Sequence, residues 1–150
     1  MKLTTKKILN LRAALLALDG LDKAVEVNGK TALIKKPFKL AGKTRLKIAR
    51  NLRELESPAT DYDEARIALV RELSGGGDDV PADQRAEFFT QINPMLAAEH
   101  EVGLAAFAED EFNLEANEIP HGALALLLEH LVATAPATPA ETARANPENE

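Results

Sequence analysis

Cysteine and tryptophan are absent from this chain, and aromatic residues make up only 4 % of its 150 positions. Without a thiol there is no disulfide scaffold, no cysteine nucleophile and no cysteine-ligated zinc, and the composition fits a reducing compartment. No apolar run nears the roughly 18 residues that a membrane-crossing helix needs. The start, Met1 to Lys7, has the charge of a signal peptide. Asn10, Arg12 and Asp19 interrupt what would be its apolar stretch, however, and no clean cleavage site follows. The expectation is a soluble chain with no membrane partner and no secretion by a signal peptide. A chain of this length suits one domain, able to bury about 68–70 % of its unfolded surface.

Acids are also missing from one long stretch. Between Lys30 and Arg53 there are nine cations and no Asp or Glu. Residues 1–53 together carry a net +11 and residues 54–150 a net −17, which leaves −6 overall. Such polarity suits an acidic partner, a nucleic acid or a second copy of the chain; equally, the two parts can face and screen each other inside one fold.

Apolar spacing predicts a first helix over 4–19, with Ile8, Leu11, Leu15 and Leu18 on one stripe, Leu9 and Leu16 widening it, and Gly20 as a left-handed cap. Asn28-Gly29 between two β-prone runs predicts a hairpin with a type I′ turn, ended by Pro37. A second helix is expected over 41–56 with Ile48, Leu52 and Leu55 inward, stopped by Ser57-Pro58. A third is expected over 61–73, antiparallel to the second. Ser74 to Asp79 reads as a joint. A fourth helix starts near Pro81, with Pro94 kinking or splitting it, and a last one begins at Pro120. In residues 101–107, Val102, Leu104 and Ala106 alternate like a short strand that could pair with the hairpin, while Leu96, Gly103 and Phe107 also fit a continuing helix; the strand is the preferred reading. The fold class is therefore mainly α: about five helices with a small β-hairpin and a third short strand. It forms one compact domain over 1–133, followed by a disordered Ala/Thr/Pro/Glu tail over 134–150.

Catalytic patterns fail one by one. Gly42-Lys43-Thr44 sits where a phosphate loop could open a helix, but the glycine needed five residues earlier is Pro37; Gly29-Lys30-Thr31 fails likewise at Ala24. His121 and His130 are nine residues apart on one helix, hence on opposite sides, and His100-Glu101 does not continue as a zinc-protease motif. Glu109, Asp110 and Glu111 lack the alternation and central glycine of a calcium loop. No serine lies in a nucleophile elbow. The chain reads as non-enzymatic, with no cofactor and no metal.

Two interaction candidates remain. On the second helix Lys43, Lys47, Arg50 and Arg53 ring Leu46 on the side opposite Ile48, an arrangement suited to protein docking. Glu109, Asp110 and Glu111, interleaved with Phe107, Phe112 and Leu114, form either a solvated face above buried aromatics or an acidic docking surface. Direct nucleic-acid binding through 30–53 is disfavoured by the net negative charge and the scarcity of aromatics for stacking.

Three stretches carry a family resemblance: Met-Lys-Leu-Thr-Thr-Lys-Lys-Ile-Leu-Asn-Leu at the start, the run from Phe38 to Leu52, and Tyr62-Asp63-Glu64-Ala65-Arg66. In layout over 1–132 they resemble small helical proteins encoded by tailed bacteriophages and prophages. The resemblance implies a setting in the virion or the host cytoplasm, and no enzymatic activity. Together with the failed catalytic patterns, the polarised charge and the Leu46-centred basic face, the expectation is a small structural or assembly component whose partners are other phage structural proteins or a host protein. The alternative is an intracellular inhibitor of a host nucleic-acid-binding or defence protein, working through the acidic surface.

Overall fold

The computed structural model describes residues 1–132, so the tail expected over 134–150 lies outside the described residues. A short strand, β1 (Lys2–Thr4), leads directly into helix α1 (Thr5–Leu16). Thr4 caps that helix, its hydroxyl accepting the Lys7 N–H at 3.2 Å. Ile8, Leu11 and Leu15, with Leu18 from the following 3₁₀ turn, are almost fully buried, as their spacing predicts. Leu16 instead is 45 % exposed. Helices α2 (Gly42–Ser74) and α4 (His121–His130) pack against α1, and α3 (Arg85–Ala97) touches both α1 and α2. Leu55 of α2, Leu127 of α4 and the rings of Phe107 and Phe112 close one core. The two rings lie 5.2 Å apart, centroid to centroid.

There are four α-helices among the described residues, not five. The expected second and third helices are a single helix of 33 residues that runs through Pro58, so the antiparallel pair does not form. Proline lacks one N–H and crowds the preceding turn, at a cost of about 3 kcal/mol. Burial of Leu55, Ala59 and Leu69 along the same helix offsets that cost. The helix ends instead at Gly75, whose φ of 69° is left-handed and whose N–H reaches the Arg71 carbonyl. Helix α3 likewise runs past Pro94 to Ala97 without splitting.

The third strand is also placed differently. It is β4 (Glu99–Glu101), and it pairs antiparallel with β1, matching Leu3 to His100, rather than with the hairpin. This pairing puts Leu3 and Val102, each 5 % exposed, into the core. Residues 102–106 are irregular and are tied down by a side chain. Asn51 of α2 accepts the Ala105 N–H at 2.7 Å and donates to the Ala105 carbonyl at 3.0 Å, as a neighbouring strand would.

The hairpin comprises β2 (Leu21–Val27) and β3 (Lys30–Lys36). Asn28 and Gly29 have φ of 53° and 78°, the two positive values that the tight turn requires. Its base is gripped at both ends. Gly20, at φ 143°, departs from the left-handed cap expected of it. Any side chain there would collide with the Lys36 carbonyl. Beyond Lys36, Phe38 plugs the core, Arg45 donates to its carbonyl at 2.7 Å, and Asn117 holds the next residue, accepting the Lys39 N–H and donating to the Lys39 C=O.

Candidate interaction surfaces

The acidic and basic candidates meet at one point. Helix α2 presents Thr44 and Lys47 one turn apart, and the 3₁₀ turn Glu109–Phe112 brings Glu111 against them. Lys47 Nζ lies 2.7 Å from Glu111 Oε2, the Thr44 hydroxyl donates to Oε1 at 3.1 Å, and the Ala108 N–H donates to Oε2 at 2.7 Å. The Glu111 side chain is 6 % exposed. The hydrogen bond from Lys47 lowers its pKa most, burial opposes, and the Ala108 and Thr44 donors add to the lowering. The net position is about 2. Lys47 also sits 5.7 Å from the centroid of the Phe107 ring. Glu111 and Lys47 were both candidates for binding a partner, and their charges are spent on each other.

The rest of the α2 face is open to solvent. Leu46 is 51 % exposed, and Lys43, Arg50 and Arg53 stand around it with no ion pair among the described residues. Within the 3₁₀ turn, Glu109 and Asp110 remain exposed. They line a hollow with Asn113, Leu114 and Glu115 that has no cationic side chain in its wall. Leu114, at 44 % exposure, is the apolar centre of this acidic surface.

The third surface is the hairpin itself. Every residue of β3 is exposed, including Leu33 at 74 % and Ile34 at 49 %, and on β2 Val27 is 53 % exposed. The register sorts the side chains, because directly opposed residues share a face. One face carries Lys23, Val25 and Val27 opposite Ile34, Ala32 and Lys30, with Lys36 at its base: apolar, with lysines at its margins and no acid. The other carries Asp22, Ala24 and Glu26 opposite Lys35, Leu33 and Thr31. There Lys35 and Asp22 pair at 3.3 Å, both largely solvated.

The histidines are dispersed. His100 shares a 2.8 Å hydrogen bond with the Thr5 hydroxyl, His121 is exposed, and His130 lies 3.7 Å from the adjacent Glu129. Among the described residues no group of three acids or histidines is placed to hold a metal ion, and no helix is long and apolar enough to cross a membrane. No family model, curated protein or solved structure matches this chain.

Thr44, Asn51 and Asn117 are buried polar groups whose partners the local sequence does not reveal. For Asn51 a signal existed: it lies three residues after Ile48 and four before Leu55, inside an apolar stripe, where a polar side chain needs a partner. For the hairpin, alternation is visible in the sequence, but its exposure among the described residues is not.

Proposed function

We propose that this chain is a non-enzymatic protein–protein interaction protein, a small structural or assembly component of a tailed-phage particle, and that the β2–β3 hairpin is its docking arm. The observation that carries this reading is the hairpin's exposure. Two strands of seven residues each stand off the helical body with Val27, Leu33 and Ile34 in solvent. A two-stranded ribbon is at best marginally stable in water by itself. Exposed apolar residues on such a ribbon are characteristic of a surface that is covered in an assembly. The particle setting comes from the resemblance of the start, the Phe38–Leu52 run and the Tyr62–Arg66 run to phage proteins.

The alternative, inhibition of a host nucleic-acid-binding or defence protein by a carboxylate array, is the weaker reading. Withdrawal of Glu111 into its contact with Lys47 leaves fewer solvated carboxylates beside Leu114.

The test is mass spectrometry of purified particles. The wild-type chain is expected at a defined stoichiometry. A variant with Val27, Leu33 and Ile34 changed to Thr, retaining its helical circular dichroism, is expected to be absent. Abundance in the lysate with absence from particles would overturn the structural role, and recovery of only host proteins by pull-down would favour the alternative.

A further inference from the structure

The hairpin's two faces differ, and that difference names an occupant. The Lys23–Val25–Val27 face is apolar with Lys23, Lys30 and Lys36 at its margins, and it contains no acid. The covering surface should therefore be apolar at its centre and acidic at its edge. This chain displays one: exposed Leu114 beside Glu109, Asp110 and Glu115, in a hollow that meets cations, Lys39 and Lys43, only across Asp110 and Asn113 in the adjoining hollow. The hairpin does not cover this patch in its own chain, since Leu114 and the whole of β3 are exposed together.

We infer that the cationic apolar face of the hairpin docks on the Leu114 patch of a second copy of this chain. The inference rests on the reading of the hairpin as a docking arm and adds the identity of what it docks on. Val27 and Ile34 lose solvent against Leu114, and the lysines meet Glu109, Asp110 and Glu115. Face and patch are different surfaces, so two copies exchanging hairpins close a pair, and one-way engagement extends into a ring or chain. The Leu46 face of α2 is also apolar and cationic. Its helix, however, is already stabilised by burial on the other side, whereas the hairpin has no such support in the monomer.

The experiment is sedimentation equilibrium of the full chain at low and high salt. Wild type should show a mass that rises with concentration, with association weakening as salt screens the contact. Lys23→Glu/Lys30→Glu/Lys36→Glu should raise the apparent Kd at least about tenfold, and so should Glu109→Lys/Asp110→Lys/Glu115→Lys. Uniting both sets in one chain should restore association, a rescue that misfolding could not produce. Circular dichroism of each variant verifies its helices. A monomer at every concentration, association untouched by either set, or association abolished by Leu46→Glu but not by the hairpin set would each overturn the inference. A strict monomer that still enters particles through its hairpin removes the self-contact and leaves the docking arm standing; a chain that self-associates through its hairpin but is absent from particles keeps the self-contact and removes the particle role.

Discussion

The protein contains two small sheets that behave in opposite ways. β1 and β4 match only three residue pairs, yet they place Leu3 and Val102 in the core and join the first residues to those around 100. β2 and β3 match seven pairs across an ideal turn, and nearly all of their side chains lie in solvent. Length of pairing is therefore a poor guide to how firmly a strand belongs to the fold. What decides is the apolar area that pairing removes from water, at roughly 25 cal/mol per Å². The short sheet works as a clasp, because each of its strands continues into buried chain. Among the described residues the long one is held at its base, where Gly20 abuts Lys36, Phe38 enters the core and Arg45 and Asn117 bond Phe38 and Lys39.

Truncating one side chain in each sheet measures the difference directly. Leu3→Ala should cost about 2–5 kcal/mol in denaturant unfolding, because it leaves a cavity where β1 meets the core. A loss below 1 kcal/mol, roughly the effect of a surface change, would show that the clasp is not part of the core.

A second, smaller contrast lies between two ion pairs. Glu111 is held near a pKa of about 2, against an ordinary value of 4.5. A carboxyl whose pKa is lowered by folding contributes stability above its unfolded value, and that contribution disappears as pH falls toward the folded one. The Glu111 contribution, on the order of 2 kcal/mol, should thus be complete above about pH 5 and lost progressively down to about pH 2. Glu111→Gln should flatten this part of the stability-against-pH curve; an unchanged acid limb would disprove it. The hairpin's Asp22–Lys35 pair is solvated on both sides, and Asp22→Ala should change stability by less than about 0.5 kcal/mol at neutral pH.

The smallest effect closes the comparison. Leu33→Ala should leave the unfolding midpoint nearly unmoved, within about 0.5 kcal/mol, despite removing a large apolar side chain from the middle of a strand. A core-sized loss would mean that the hairpin folds back on the body in solution.

Local chemistry was legible where it acts over a few residues. The α1 stripe, the Asn28-Gly29 turn and the break after Ser74 all depend on spacing or on a single permitted conformation, and each stands where its residues indicate. Pro58 misled for a related reason: its local penalty is real, but only the packing of Leu55, Ala59 and Leu69 shows what outweighs it. The acidic surface was half legible. Glu109, Asp110 and Glu111 are consecutive and chemically alike, and the 3₁₀ turn alone decides that the third points inward to Thr44 and Lys47.

The sequence by itself determined a mainly helical chain with one hairpin, a basic first third and an acidic remainder, because periodicity, turn chemistry and charge are properties of neighbouring residues. The tertiary arrangement runs one helix through Pro58, joins β4 to β1, sets Asn51 where a strand is missing, and leaves the hairpin exposed among the described residues. Each of these depends on contacts between residues far apart in the chain, where the buried area and hydrogen bonds gained can exceed any local preference.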